Sequence, residues 1–159
     1  MSTSRKITLA TAWLDGCSGC HMSFLDMDER LIELVQQIDI VYCPLVDAKT
    51  LPEHVDIGIL EGSVSTDEDA EKAGAFRRHC DFLISLGDCV VNGNVPAMRN
   101  RFKLDDIFDQ AYFATADITP QRPCNRVPKL FEKARPVHGV VDVDLFLPGC
   151  PPPADAIWH

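Results

Sequence analysis

The chain has 159 residues, enough for one domain with a real core, and we expect residues 1–159 to form a single domain. A formal charge of -9 opposes the phosphate backbone of nucleic acids, which is met by clustered Lys and Arg, so nucleic acid is not an expected partner. No run approaches the roughly 18 to 20 apolar residues of a membrane helix, and no signal with a cleavage site follows Arg5 and Lys6; membrane insertion is not expected, and the cytoplasm is the expected compartment.

In chain order, "KITLATAW" (6–13) reads as a strand and leads into the "GCSGC" loop (16–20). Ser23 and Asp26 form a capping signature, and Phe24, Met27, Leu31, Leu34 and Ile38 recur at helical spacing, which predicts one helix from about Met22 to Gln37. "IDIVYCP" (38–44) and "VDIGILEG" (55–62) are short Val/Ile-rich runs closed by Pro or Gly, suited to buried strands. Ser65 or Thr66 caps "DEDAEKAGAFRRHC", with acids in the first turn and Arg77, Arg78 and His79 in the last, matching the helix dipole. "DFLISLG" (81–87) and "GVVDVDLFLPG" (139–149) read as two more strands, and a short helix is expected over Leu104 to Tyr112 in an otherwise Pro-rich stretch. Strands alternating with helices imply βαβ units. The expected fold is α/β, a flavodoxin-like three-layer sandwich with a mainly parallel sheet.

Seven cysteines are many for a chain in a reducing compartment, where structural disulfides are rare, so metal or redox chemistry is the better explanation. In an open parallel sheet the ligand crevice lies beyond the carboxyl ends of the strands. Cys17 and Cys20 follow the first strand, Cys89 follows "DFLISLG" and Cys150 follows "DLFL", so all four fall on that edge. Four thiolates from three loops suit a 4Fe-4S cluster, in which each iron takes one cysteine. A lone C-x-x-C reads more often as a zinc half-site or a redox dithiol; a zinc-stapled scaffold domain therefore stays open as the alternative. Direct flavin binding lacks a Ser/Thr-rich phosphate loop after the first strand. Cys43, on an edge strand in a 2-1-3-4-5 order, and Cys80 read as apolar fillers, and Cys124 as an exposed residue. His21 reads as a solvent or partner-contacting residue, with ligand or proton carrier as the competing reading. Glu61 lands on the same edge and has the bland alternative of a helix cap. Pro148 and the prolines at 151 to 153 stiffen the backbone around Cys150.

"CSGC", "LEGSV", "SLGDC" and "PGCPP" resemble the small, electron-transfer subunits of NiFe-hydrogenases and the related cluster-bearing subunit of respiratory complex I. Complex I subunits of this type carry two adjacent cysteines where this chain has C-x-x-C. "CHMSFLDMDERL" and "GNVPAMRN" look most like the NAD-reducing (Hox-type) hydrogenase small subunit. The resemblance implies that Cys17, Cys20, Cys89 and Cys150 ligate one proximal 4Fe-4S cluster. It also implies partners: a large subunit with the NiFe centre, and flavin/NAD (diaphorase) subunits with FMN and further iron-sulfur clusters. A complex I-like or ferredoxin-linked hydrogenase is the alternative assembly. Periplasmic relatives have Glu directly before the first cysteine; here Gly16 stands there, with Asp15 as a possible substitute in a proton or hydrogen-bonding role. Relatives generally continue beyond His159, and the export signal of periplasmic ones has no counterpart. An apolar stretch beside the cysteines, "MSFLDM", implies an obligate interface of roughly 2,000 Å² or more.

Overall fold

A computed structural model describes residues 5–117 and 119–159. Five parallel strands form the central sheet: β1 (Ile7–Trp13), β2 (Ile38–Tyr42), β3 (Val55–Glu61), β5 (Cys80–Leu86) and β7 (Leu145–Leu147), in the order β2-β1-β3-β5-β7. This is the order expected of a flavodoxin-like sheet, and it puts β2 and Cys43 at the edge.

Burial on both faces explains the apolar runs. Alternate residues of β3 serve opposite layers: Ile59, with Leu9, Ile38 and Leu86, meets Phe24, Leu34 and Ile157 from the helices on one face. Leu60, with Ala10, Ala12 and Leu83, packs on the other face against Ala73, Phe76 and Val90. The first layer is α1 (Gly19–Leu25), α2 (Arg30–Gln37) and α7 (Ala154–Trp158); the second is α3 (Asp67–His79) and α4 (Asp88–Asn92). The three-layer α/β architecture expected from the sequence is the one observed.

Thr66 caps α3 in a reciprocal box with Asp69, acids fill the first turn, and Arg77, Arg78 and His79 fill the last. Arg77 then anchors the start of β5: it donates to the carbonyls of Cys80 (2.7 Å) and Asp81 (3.0 Å) and to the carboxylate of Asp144 (2.6 Å).

Three expectations are corrected. The helix expected from Met22 to Gln37 begins at Gly19 and is split, with Asp28 in the left-handed region (φ 55) between α1 and α2. The apolar spacing runs through the split because both pieces lie on the same sheet face, and Met27 in the break is buried. Ser23 is consequently no cap; it is buried inside α1 and its hydroxyl donates to the Pro152 carbonyl. The strand expected over 139–149 shrinks to Leu145–Leu147, because Asp144 turns its carboxylate onto the Leu83 amide (2.7 Å) and the chain before it forms a 3-10 turn, Val137–Gly139, and bends.

The short helix expected over Leu104 to Tyr112 is present as α6 (Leu104–Asp109), continuing into a π turn, Gln110–Ala114. A second, antiparallel ribbon pairs β4 (Val64–Thr66) with β6 (Leu130–Arg135), and α5 (Asn94–Ala97) with a 3-10 turn, Met98–Arg101, connects α4 to this region. No helix among the described residues is long and apolar enough to cross a membrane.

Candidate metal centre at the carboxyl edge of the sheet

The carboxyl ends of β1, β3, β5 and β7 are fastened to one another by backbone bonds, and these bonds position the site. Leu14 N–H donates to the Glu61 carbonyl (2.8 Å), and Asp15 and Ser63 exchange two bonds (3.0 and 2.7 Å), tying the loop after β1 to the loop after β3. Gly87 N–H donates to the Leu147 carbonyl and Asp88 N–H to the Gly149 carbonyl, both at 2.8 Å. In return, Gly149 N–H donates to the Asp88 carboxylate at 2.7 Å. The Ser23 bond to Pro152 joins α1 to the proline segment. The loops after β1, β3, β5 and β7 thus form one knitted rim.

All four expected cysteines stand on it. Cys17 lies in the loop before α1 and is exposed; Cys20, in the first turn of α1, is half-buried. Cys89, in the first turn of α4, is half-buried, and Cys150, between Gly149 and Pro151, is exposed. Burial pushes the Cys20 thiol well up, reinforced by the charge and hydrogen bond of the Glu61 carboxylate and then by the charges of Cys89 and Cys17. Burial also raises Cys89, as do the charges of Cys150 and Cys17, while the Val95 backbone N–H and the Asn94 amide pull it down. Each of the four sulfurs therefore lies within electrostatic reach of at least one other.

Gly87 makes room for this packing. Its φ of +97 is in glycine's territory, and a Cβ there would lie 2.2 Å from the Cys20 sulfur. Among the described residues, no three of these sulfurs lie mutually within 4.8 Å. A tetrahedral zinc site, with Zn–S near 2.3 Å, brings its sulfurs to about 3.8 Å of one another. Thiolates that each cap a different iron of a cubane stand further apart. Four thiols on one rim are a donor set that fits a group in which each iron takes one cysteine.

The remaining cysteines do not join the rim. Cys80 is buried at the opposite, amino end of β5, where burial lifts its thiol to about 11. Cys43 is half-buried beyond edge strand β2, its sulfur accepting from the Leu45 amide at 3.4 Å, and Cys124 is exposed.

Two neighbours differ from their sequence readings. His21 is not a solvent residue: it is 4% exposed, with Nε2 2.9 Å from the Thr11 hydroxyl and Nδ1 2.8 Å from Glu61 Oε1. The latter approach is off the hydrogen-bond axis, leaving both atoms without another partner. Glu61 is 2% exposed and does not cap α3, a role held by Thr66; its Oε2 accepts from the His21 backbone N–H at 3.2 Å. A carboxylate closing the apolar run "GILE" was the available signal, since such a charge is buried only with partners. Asp15 accepts from the Ser65 hydroxyl. Asn94 drew no attention as a sequence feature; its amide reaches the Cys150 sulfur at 3.4 Å.

The family described as NADH ubiquinone oxidoreductase, 20 Kd subunit, matches residues 17–159. The delta subunit of the NAD-reducing hydrogenase HoxS of Cupriavidus necator is 46% identical over 96% of this chain and 76% of its own length. A subunit of the F420-non-reducing hydrogenase of Methanothermobacter thermautotrophicus is 38% identical over 96% of this chain, which spans only 51% of that relative. A crystal structure of an NAD+-reducing [NiFe]-hydrogenase in the H2-reduced state superposes with a TM-score of 0.92 at 41% identity, over 97% of this chain and 88% of the other. The [NiFeSe] hydrogenase of Desulfovibrio vulgaris Hildenborough, at 18% identity, shares the fold (TM-score 0.59, 98% of this chain and 58% of the other). With the match running from the first rim cysteine to the last residue, the chain belongs to the family of the 20 kDa subunit of NADH ubiquinone oxidoreductase, and within it is of the hydrogenase small-subunit type.

Proposed function

We propose that the chain is the electron-relay subunit of a cytoplasmic, NAD-reducing NiFe-hydrogenase. Residues 1–159 would act as one iron-sulfur domain, holding a single 4Fe-4S cluster through Cys17, Cys20, Cys89 and Cys150. When bound, such a cluster accepts and releases one electron at a time. The carrying observation is that these four thiols meet on one rim in a chain 46% identical to a subunit of an NAD-reducing hydrogenase.

Hydrogen would be split into two protons and two electrons in a large subunit that carries the NiFe centre. The electrons would pass singly through this chain to flavin/NAD subunits with FMN and further iron-sulfur clusters, where NAD+ takes up two electrons and one proton. The chain's own residues supply the frame. Leu14 and Asp15 tie the loop after β1 to that after β3, and Gly87 and Asp88 tie the loop after β5 to that after β7, through backbone bonds. Glu61 and His21, both buried, stand beside the half-buried Cys20 and fix the start of α1 through the His21 N–H bond to Glu61. Met22, Val95, Met98 and Phe102, each more than half exposed, lie in the segments that follow Cys20 and Cys89; they suit an apolar contact with the large subunit.

The F420-non-reducing relatives support a second reading, in which the same relay serves another carrier such as ferredoxin. Substituting Cys89 or Cys150 by Ala in the purified complex tests the proposal. Hydrogen-driven NAD reduction and the paramagnetic signal of one cluster should both be abolished; NAD reduction that survives contradicts the relay role. Reduction of ferredoxin but not NAD+ by the intact complex favours the second reading.

A further inference from the structure

We propose that Asn94 is a positioning residue that raises the reduction potential of the group held by the four cysteines, by donating its side-chain amide to the sulfur of Cys150. The inference rests on the cluster reading above. Asn94 Nδ2 lies 3.4 Å from Cys150 Sγ, so a side chain just past α4 reaches the cysteine that follows β7. Its backbone is set for this. Gly93 (φ +89) and Asn94 (φ +33) turn the chain out of α4, and the Asn94 N–H is held by the Asn92 side-chain oxygen at 2.9 Å. Asparagine tolerates positive φ better than most residues and brings a donor, whereas glycine would meet the backbone requirement alone.

Reduction adds one electron and makes or breaks no bond. The added negative charge is shared with the sulfurs, and an N–H aimed at them stabilises the reduced form; hydrogen bonds to the sulfurs are among the determinants of such potentials. The opposite side of the rim has the reverse polarity, because there the Glu61 carboxylate faces Cys20. Asn94 therefore gives Cys150 a donor, where Cys20 faces a carboxylate.

The test uses the anaerobically purified complex as wild type, Asn94→Gly, Asn94→Asp and Cys89→Ala. The Cys89→Ala complex identifies the signal that belongs to this chain, by its disappearance. Redox titration of that signal should then give a more negative midpoint in Asn94→Gly, and a more negative one again in Asn94→Asp, with iron content equal to wild type. A midpoint in Asn94→Gly that coincides with wild type overturns the proposal. Loss of iron from Asn94→Gly overturns it too, because Asn94 would then hold the group rather than tune it. If Cys89→Ala keeps every signal and all its iron, the cluster reading itself has failed, and the tuning role falls with it.

Discussion

The two sides of the cysteine rim are built differently. On the side of Cys20 the polar groups are buried and interlocked: His21, Glu61 and Thr11 are each less than 5% exposed, and the Cys20 sulfur fills the space where a side chain at Gly87 would stand. On the side of Cys150 the sulfur is exposed, and its side-chain partner is the Asn94 amide, itself at the surface. One half is a preformed floor that the fold itself keeps rigid, while the other is an open mouth. On the proposed reading the difference separates stability from cluster binding: the floor would serve both, whereas the exposed Cys150 would serve the second and leave stability almost untouched.

Gly87→Ala breaks the comparison most severely. A methyl at φ +97, 2.2 Å from the Cys20 sulfur, forces the floor apart. We expect a loss of about 3 kcal/mol from backbone strain and overpacking, read from the urea midpoint, together with loss of the cluster signal. His21→Ala comes next. It leaves a cavity, removes the close approach of Nδ1 to Glu61 and strands the Thr11 hydroxyl, for an expected loss of about 2–3 kcal/mol in the same assay. A variant as stable as wild type would show that the floor is not interlocked.

Cys80 sharpens the contrast, being a buried thiol at the other rim whose charged neighbours, Arg77 and Asp81, act on it in opposite directions. Burial raises it from 9.0 to about 11, so between these pH values the folded chain keeps a proton that the unfolded chain releases. Its contribution to stability is complete below about pH 9 and declines as pH rises toward 11. Cys80→Ala should remove that part of the alkaline slope in urea titrations run from pH 8 to 11; an unchanged slope contradicts the assignment. The smallest effect on stability is expected of Cys150→Ser: within about 0.5 kcal/mol in the metal-free chain, because the side chain is exposed, while cluster content falls to background.

Much of this arrangement was legible in the sequence. Strands β2 and β3 announce themselves as Val/Ile-rich runs and β1 and β5 as apolar ones, and the placement of Cys17, Cys20, Cys89 and Cys150 follows from strand ends alone, since a parallel sheet aligns those ends. The split between α1 and α2 was hidden because Met27 keeps the apolar spacing while Asp28 breaks the backbone. The β4–β6 ribbon was hidden because three-residue β4 is too short to show alternation, and its partner lies more than 60 residues away, past the proline-rich stretch. The burial of His21 and its pairing with Glu61, which stands on the expected edge, were hidden for a related reason. Local sequence suggests solvent or a cap, and only the approach of the loop after β1 to the end of β3 reveals that each is the other's partner.

Paired iron and sulfide analysis tests the central claim most directly, comparing the anaerobically purified wild-type complex with its Cys89→Ala counterpart. The account predicts that the variant lacks about four iron and four acid-labile sulfide per complex, in step with the one-cluster stoichiometry. An unchanged iron and sulfide content, or the loss of a single zinc ion in their place, would contradict it.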